Sequence, residues 1–251
     1  MRVYCAQIAQ VWNDPDTAFA RAHDAVLRAV EDDADLVMFS EQYATGWRPA
    51  AAGDDDLCGD EVKARWCSLA REFGVAVAGS YARDVPGALP QNVMLVAGPR
   101  GEVLAEYAKM HLFTPGGEDT RYSAGAAPVC FSYGGVKFGC AVCFDLRFPE
   151  LFRAYLHEDC ACVLVQAAWP AARVADWELL LRARALENRG FVVGAACLGY
   201  DAVCGVDYSG RGMVCDYEGR VVADAGVFAG GCSWAVDVEG VQEWRREWGM
   251  K

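Results

Sequence analysis

Short strand-like and helix-like segments alternate along the whole chain of 251 residues, and this alternation constrains the fold most. Apolar runs such as 36–39 and 162–165 have strand composition. Apolar residues at helical spacing follow such runs, for example from about 61 to 73 and from about 176 to 188. No low-complexity linker or short repeat interrupts the pattern. We therefore predict one α/β domain over residues 1–251 rather than a tandem of small domains.

The first predicted helix carries clear local signals. Asp14–Thr17 predicts its start, because an N-cap residue is followed there by a proline. Phe19, Ala22, Val26 and Val30 recur at helical spacing and predict its buried face. The other predicted strands are 2–9, 75–78, 92–96, 102–107, 129–133, 136–142, 191–196, 213–217, 220–223 and 233–237, and a short helix is predicted after the last of them.

The charge balance excludes some classes of partner. The chain has 23 Lys and Arg against 35 Asp and Glu, which gives a net charge of −12, and its basic residues are scattered. Nucleic acids and anionic membranes both need clustered basic residues. We therefore expect no nucleic acid and no membrane as a partner, and a small-molecule substrate instead. The acidic run Asp54–Asp56 is interpreted as a solvated loop.

The expected compartment follows from the lack of a membrane-spanning stretch and of a signal peptide in the sequence. No apolar stretch approaches the length that spans a bilayer, and residues 2–9 look like a strand rather than a signal peptide. We therefore expect a cytoplasmic protein. Twelve cysteines without a secretion signal are expected to be reduced thiols rather than a disulfide framework.

Cys143 is the one cysteine of the twelve whose position suits a nucleophile. The strand-like run 136–142 ends directly before it, and Asp145, Pro149 and Glu150 suit the start of a helix. At such a junction backbone amides are unpaired and a partly exposed sulfur can ionise. Buried cysteine is also a common small hydrophobe. The cysteines that we expect to be structural are Cys5, Cys67, Cys162, Cys197 and Cys215.

A cysteine nucleophile usually needs a base, and the common base is histidine. The chain has only three histidines. His23 and His157 fall in helical segments, whereas His111 lies two residues from Lys109. A Cys-His dyad is therefore open only through His111, and a carboxylate is the preferred base.

Glu41 and Lys109 offer complementary chemistry to a thiol. Apolar neighbours such as Tyr43 and Trp47 would desolvate Glu41, and a desolvated carboxylate can take a thiol proton and later pass it to a leaving amine. A cation at Lys109 would lower the thiol pKa from its ordinary value of about 8.5 and could stabilise an oxyanion. Glu41, Lys109 and Cys143 each follow a predicted strand, and ligand crevices form beside strand ends. We therefore expect the three side chains to meet.

Three segments carry a family resemblance when they are taken in order. Phe39–Gly46 (FSEQYATG) is similar to a catalytic glutamate segment, Tyr107–Phe113 (YAKMHLF) to a lysine segment, and Cys143–Glu150 (CFDLRFPE) to a nucleophile segment. Together they make the chain resemble the nitrilase superfamily of carbon-nitrogen hydrolases over almost its whole length. The resemblance implies an α/β fold that is a four-layer αββα sandwich of two mixed β-sheets.

The resemblance also implies a role for each site residue. Glu41 is the implied general base and acid, Lys109 the oxyanion-stabilising cation and Cys143 the nucleophile. Glu118 is implied to hold Lys109 and position the substrate, while the backbone N–H of Phe144 completes an oxyanion hole. The implied reaction is attack of the thiolate on an amide carbonyl, loss of ammonia, and hydrolysis of the thioester, without a metal or other cofactor.

Within the superfamily, segments 109–118 and 168–173 resemble most the omega-amidases that hydrolyse 2-oxoglutaramate and 2-oxosuccinamate. Such a substrate carries a carboxylate, so its pocket needs a cation besides the lysine. Arg173 is the candidate cation, and Trp169 and Tyr43 are expected to contact the substrate. The alternatives within the superfamily are an N-carbamoyl amide hydrolase and a nitrilase. Family members commonly pair, which implies a homodimer.

The sequence departs from the family pattern at two pocket positions. Ala168 stands where relatives often have asparagine, and Phe144 stands where many have tyrosine. Neither belongs to the catalytic set, but both change the polarity of the predicted pocket. The assignment of the substrate therefore rests on fewer residues than the assignment of the reaction.

Two interpretations lie outside this reaction class. Cys140 and Cys143 form a CxxC pair, and Cys160 and Cys162 form a CxC pair, as in some redox and metal proteins. The position of Cys140 inside a predicted strand argues against a redox motif, and a zinc site would need four converging ligands. A non-catalytic binding protein of the same fold is the second interpretation, and the intact catalytic set argues against it.

Overall fold

The computed structural model describes residues 1–47, 59–202 and 204–250, so the acidic run Asp54–Asp56 lies outside the described residues. The strands are β1 Arg2–Gln7, β2 Leu36–Met38, β3 Ala76–Arg83, β4 Gln91–Ala97, β5 Val103–Ala108, β6 Cys130–Tyr133, β7 Val136–Val142, β8 Cys162–Ala167, β9 Phe191–Ala196, β10 Leu198–Asp201, β11 Val206–Ser209, β12 Met213–Cys215, β13 Val221–Asp224 and β14 Gly230–Ala235. The helices are α1 Pro15–Glu31, α2 Gly59–Phe73, α3 Pro149–His157, α4 Val174–Asn188 and α5 Val238–Glu247. Within the described ranges, none is long and apolar enough to cross a membrane.

Two six-stranded sheets form the centre of the molecule. Their strand orders are β14-β1-β2-β3-β4-β5 and β13-β12-β9-β8-β7-β6, while β10 and β11 form a separate pair. In the first sheet β1, β2 and β3 run parallel, and in the second sheet β7, β8 and β9 do. The outer strands of both sheets pair antiparallel with them. Both sheets are therefore mixed, as predicted.

Alternate residues of the first sheet pack in opposite directions, because side chains alternate across a strand. In β1, the Cys5 Sγ donates to the Gly194 carbonyl of the second sheet at 3.1 Å. Tyr4 and Ala6 instead belong to the core that α1 and α2 cover. Helices α3 and α4 contact β7 and β9 of the second sheet. The layers run helices, sheet, sheet, helices, which confirms the four-layer αββα sandwich.

Helix α1 starts as predicted, but one residue of its expected buried face is wrong. The Asp14 side chain accepts from the Thr17 amide at 3.0 Å and caps the helix. Phe19 lies in the core, whereas Val30 is exposed and Ala29 is buried in its place. A helix has 3.6 residues per turn, so its buried face continues either three or four residues further on. After Val26 the next buried residue is therefore Ala29, three residues on, rather than Val30, four residues on.

The strands differ from the prediction where glycine and polar residues obscure the pattern. Strand β3 continues to Arg83, well past the predicted end. Its Gly79 lies directly under the Trp66 ring, and a Cβ there would overlap that ring. Strands β10 and β11 were not predicted, because their sequences lack a sustained alternation of apolar and polar residues.

Candidate active site

Three strand ends bring the predicted catalytic residues together. Glu41 lies three residues beyond the end of β2, Lys109 directly follows β5, and Cys143 directly follows β7. The first two strands belong to one sheet and the third belongs to the other. The site therefore lies where the two sheets face each other, and all three side chains are buried.

Lys109 is the centre of a buried ion cluster. Its Nζ lies 2.9 Å from Glu41 Oε1, and 3.0 and 2.8 Å from the two carboxylate oxygens of Glu118. Burial alone would lower the pKa of Lys109, but the negative charges of the Glu41 and Glu118 carboxylates raise it above its ordinary value. Lys109 is therefore a permanent cation, held by two carboxylates in a place without water contact.

Glu118 reaches Lys109 through a tight loop. Gly117 has a φ of 76°, a left-handed conformation that glycine adopts without strain, and Glu118 begins the short 3-10 turn Glu118–Thr120. The Glu118 Oε2 also accepts from the Phe113 amide at 2.6 Å. This bond closes the loop that starts at Lys109, so both ends of the loop meet at one carboxylate.

Asn92 completes the cluster, and its role there was not predicted from the sequence. Its Nδ2 donates to Glu41 Oε1 at 2.8 Å and to Glu118 Oε1 at 3.1 Å. The backbone carbonyl oxygen of Asn92 accepts a hydrogen bond from the backbone amide of Lys109 at 2.9 Å. This bond continues the hydrogen-bond ladder between β4 and β5. The available signal in the sequence was an asparagine next to an apolar strand run, and the structure buries this side chain fully.

Cys143 has a backbone conformation that is rare for a residue with a side chain. Its φ is +50°, and it is the first residue of the 3-10 turn Cys143–Arg147. Such strain is found preferentially at functional sites, where surrounding structure maintains it. The sharp turn out of β7 places Cys143 Sγ 4.0 Å from the Ala168 carbonyl oxygen, on the wall of a cavity.

The thiol of Cys143 is neutral in the resting site. Burial raises its pKa well above the ordinary value, and the negative charge of the nearby Glu41 carboxylate raises it further. Lys109 lowers it, as predicted, but its effect is smaller than that of burial and Glu41 together. The thiol therefore needs a base to lose its proton, and Glu41 is in contact with it.

His111 does not serve as that base in this structure. Its Nδ1 lies 2.7 Å from Asp145 Oδ1, and its ring stacks on Phe148 with 3.7 Å between the centroids. Asp145 also accepts from the Val142 amide at 2.9 Å and from the Tyr107 hydroxyl at 2.8 Å. These bonds join the turn that presents Cys143 to the segment that presents Lys109.

A cavity of about 790 Å³ opens beside Cys143. Its walls are mostly apolar and aromatic, with three charged side chains among them. The apolar and aromatic side chains include Trp47, Phe113, Phe144, Ala168, Trp169, Val206 and Tyr208, and the charged ones are Arg147, Arg173 and Asp207. Phe144, Trp169 and Arg173 thus lie where a substrate-binding role requires them.

Tyr43 lies elsewhere, and its predicted contact with substrate is corrected. Its hydroxyl donates to the Ala18 carbonyl at 3.2 Å, and its ring packs against Phe39 and Trp66 in the core under α1 and α2. Gln42, between Glu41 and Tyr43, has a φ of +47°. This left-handed residue turns the chain, so that Tyr43 points away from the side on which Glu41 faces Cys143.

The two arginines of the cavity differ in their partners. Arg147 pairs with Asp176 at 2.6 Å and lies over the Trp169 ring. Arg173 is exposed, its guanidinium lies 5.4 Å from the centre of the Phe113 ring, and within the described parts of the chain no carboxylate pairs with it. Arg173 therefore has free donors for a carboxylate in the cavity.

The paired cysteine motifs are held in separate surroundings. Cys140 is fully buried inside β7, and burial raises its pKa. Cys160 Sγ lies 3.2 Å from Cys130 Sγ, while Cys162 lies inside β8. In residues 1–47, 59–202 and 204–250, no group of three or more His, Cys, Asp or Glu could hold a metal ion.

Proteins of known sequence resemble this chain over most of its length. A 2-oxoglutaramate amidase of Bacillus subtilis (strain 168) is 33% identical over 201 residues, which cover 77% of this chain and 74% of that protein. The omega-amidase YafV of Escherichia coli (strain K12) is 32% identical over 225 residues, which cover 90% of this chain and 85% of that protein.

Solved structures agree with the fold. A CN-hydrolase superfamily protein of Xanthomonas campestris, with an arsenic adduct in its active site, is 29% identical and has a TM-score of 0.88 over 99% of this chain and 95% of that one. An amidase from Nesterenkonia sp. AN1 is 28% identical, with a TM-score of 0.88 over 99% of each chain. In a mutant of that amidase, acrylamide has added to the active site cysteine.

A sequence profile decides the family. The profile of carbon-nitrogen hydrolases matches residues 2–246, and the two relatives above share about a third of their aligned residues with this chain. The match includes the segments of all four predicted catalytic residues. The chain therefore belongs to the carbon-nitrogen hydrolase family.

Proposed function

We propose that the protein is a cysteine-dependent omega-amidase, which releases ammonia from the terminal amide of a small 2-oxo dicarboxylic acid monoamide. The observation that carries the proposal is the contact between a neutral, strained cysteine and a buried carboxylate-lysine-carboxylate cluster, at the wall of a cavity. Such a cluster can exchange a proton with the thiol and stabilise an oxyanion without help from solvent.

The first half of the reaction forms a thioester. Glu41 takes the Cys143 proton, and the thiolate attacks the amide carbonyl carbon. The negative charge that develops on the carbonyl oxygen is stabilised by the Lys109 ammonium and by the N–H of Phe144. Phe144 is the second residue of the 3-10 turn Cys143–Arg147, and the first amides of such a turn have no partner inside it. Glu41 then gives its proton to the leaving nitrogen, the C–N bond breaks, and ammonia departs.

The second half hydrolyses the thioester. Glu41, again ionised, takes a proton from a water molecule that attacks the acyl carbon. The same donors stabilise the second oxyanion. The C–S bond breaks, the acid leaves, and the proton on Glu41 returns to Cys143.

Charge conservation explains why a buried site can perform these steps. When the proton moves from Cys143 to Glu41, a neutral thiol and a carboxylate become a thiolate and a neutral acid, so the net charge is unchanged. The adjacent Lys109 cation stabilises whichever partner is negative, and Glu118 keeps that cation in place. The reaction therefore avoids the large cost of creating an unpaired charge in a desolvated site.

The substrate class is supported by the cavity and by the relatives. A 2-oxo acid monoamide, such as 2-oxoglutaramate or 2-oxosuccinamate, has a carboxylate at the end opposite its amide. Arg173 offers a guanidinium for that carboxylate, and Trp169 and Phe144 offer apolar surface for the carbon chain. The Bacillus subtilis relative is named a 2-oxoglutaramate amidase, and the Escherichia coli relative is named an omega-amidase.

An ammonia-release screen tests the proposal. The purified protein is given 2-oxoglutaramate, 2-oxosuccinamate, simple omega-amides, N-carbamoyl acids and nitriles, with Cys143→Ala as the control. We expect ammonia without carbon dioxide from the 2-oxo amides, and none from the control. Turnover of carbamoyl compounds with carbon dioxide, or of nitriles, would assign the alternative activities, and activity on no substrate would overturn the proposal.

We also propose that the protein is a homodimer, because members of the nitrilase superfamily, which the chain resembles, commonly pair. Size-exclusion chromatography with light scattering measures the mass in solution. A mass of twice the 27.2 kDa chain is expected, and the mass of one chain would refute the pairing.

A further inference from the structure

Asn92 is a buried side chain to which the proposed reaction gives no step. Its carboxamide contacts both catalytic carboxylates, through one nitrogen that donates at 2.8 Å to Glu41 and at 3.1 Å to Glu118. Lys109 donates to the same two oxygens, at 2.9 and 3.0 Å. Two donor nitrogens, one charged and one neutral, thus bridge the same pair of carboxylates.

The chemistry of this bridge needs an amide. Two carboxylates in one buried site repel each other, and a single ammonium compensates only one negative charge. An asparagine NH₂ group supplies two N–H donors without adding charge, so it can stabilise both carboxylates while the cluster keeps one net negative charge. A hydroxyl would supply one donor, and a second ammonium would neutralise the site.

The bridge also determines which oxygen of Glu41 faces the thiol. Lys109 and Asn92 occupy Oε1, whereas Oε2 accepts from the Ala168 amide at 2.9 Å. The carbonyl oxygen of the same Ala168 lies 4.0 Å from Cys143 Sγ. Holding Oε1 in place therefore directs Oε2 toward the side of the site on which the thiol lies.

We propose that Asn92 is a positioning residue of this hydrolase, whose carboxamide holds Glu41 and Glu118 on Lys109 and directs the Oε2 side of Glu41 toward Cys143. This inference rests on the proposed function in so far as Glu41 acts as the base. Asn92 touches neither substrate nor the reacting atoms, and it acts through Glu41.

Two substitutions separate the carboxamide from the backbone of Asn92. Asn92→Ala removes both N–H donors and leaves the bond from the Lys109 amide to the backbone carbonyl intact. Asn92→Asp keeps the shape but replaces the donors with an acceptor, which can donate only when it is protonated. Asn188→Ala is the matched control, because Asn188 is also a buried asparagine. Its Nδ2 donates to the backbone carbonyl of Arg184 in α4.

For Asn92→Ala we expect kcat to fall about 10- to 100-fold, as for a misplaced catalytic group, with KM nearly unchanged. Without the two donors the ionised Glu41 is less stabilised, so the acid limb of the kcat profile moves to higher pH. For Asn92→Asp the ratio of its activity to wild type should instead rise as pH falls, because the protonated side chain regains one donor.

A second measurement does not depend on turnover. Iodoacetamide alkylation of Cys143 is followed by peptide mass spectrometry as a function of pH in wild type, in both Asn92 variants and in Asn188→Ala. Loss of the amide donors leaves the two carboxylates less compensated, so the midpoint for Cys143 should move to higher pH in Asn92→Ala. In Asn188→Ala we expect a lower Tm with the wild-type alkylation profile and wild-type kcat.

Two outcomes would overturn the inference. One is an Asn92→Ala protein with wild-type kcat and alkylation profiles, and the other is a variant that differs from wild type only by a fall in Tm like that of Asn188→Ala. If Asn92→Ala does not fold, the pH trend of Asn92→Asp decides whether Asn92 positions Glu41 or only stabilises the fold. If wild type hydrolyses no amide, the proposed function fails, and the alkylation profiles still test the placement of Glu41.

Discussion

The Cys143 thiol is one of several buried groups whose charges depend on each other. Cys143 is neutral because burial and the Glu41 carboxylate outweigh the Lys109 cation. Lys109 is charged because two carboxylates outweigh the burial that would neutralise it. A substitution at any member therefore changes the proton affinity of the others, and single deletions are not additive.

At the same scale, removal of the sulfur should abolish the reaction and leave the fold in place. Cys143→Ala takes away the atom that forms the thioester, so we expect kcat to fall by at least about 1,000-fold. Its φ of +50° is no easier for alanine, so stability should change by less than about 1 kcal/mol. Ammonia release and urea unfolding measure the two effects, and residual activity above a tenth of wild type would refute the nucleophile.

Arg173 should determine affinity for the substrate carboxylate. Replacing it with leucine removes a charged hydrogen bond worth about 1.5–3 kcal/mol, so KM for 2-oxoglutaramate should rise about 10- to 100-fold with kcat little changed. An omega-amide without a carboxylate serves as the control substrate, and its kcat/KM should stay the same. Equal losses for both substrates would show that Arg173 does not bind the carboxylate.

At the scale of elements, the site depends on how loops after strands are joined. Asp145 links the turn after β7 to the segment after β5 through Val142, Tyr107 and His111. Cys143 and Lys109 are carried by these two segments, which belong to different sheets. The carboxylate of Asp145 therefore holds the relative placement of nucleophile and cation.

Asp145→Asn tests that link. The amide group keeps the size of the side chain, but its nitrogen replaces either Oδ2 or Oδ1. It therefore faces the backbone N–H of Val142 or that of His111, where a donor meets a donor. We expect the free energy of unfolding to fall by about 1–3 kcal/mol, and kcat to fall about 10-fold or more because the nucleophile shifts. Urea unfolding and ammonia release measure both effects, and wild-type values in both assays would refute the role of Asp145.

At the scale of the whole molecule, the many buried thiols make stability depend on pH. Burial raises the pKa of Cys140, Cys162 and Cys197 as well as that of Cys143. A raised folded pKa contributes stability that is complete below the unfolded value of about 8.5 and is lost as pH rises toward the folded value.

We therefore expect the free energy of unfolding to fall above about pH 8.5, by up to about 1.4 kcal/mol per pH unit for each buried thiol. Urea unfolding under reducing conditions at several pH values measures the slope. Cys162→Ala removes one such thiol and should reduce the slope by about one thiol's share. Stability that does not change between pH 8 and 10 would contradict this account.

Local patterns were sufficient for most elements and for selecting the candidate catalytic residues. Glu41, Lys109 and Cys143 each follow an apolar run, and the order of their segments carried the family resemblance. The predicted burial of Val30 was wrong because local periodicity does not show how the buried stripe drifts along a helix. The predicted end of β3 was wrong because local periodicity does not show that Gly79 packs under the Trp66 ring. The two sheets face to face came from the resemblance, since periodicity does not distinguish that packing from a three-layer sheet.

The sequence by itself determined the alternation of strands and helices, the acidic balance of charge, and the choice of candidate reactive residues, because these depend on neighbours along the chain. Only the tertiary structure decided that Asn92 bridges Glu41 and Glu118, that Tyr43 turns into the core, and that the Cys143 thiol is neutral. Each of these depends on atoms that are distant in sequence and on their exclusion from water, and such long-range electrostatics has no local signature.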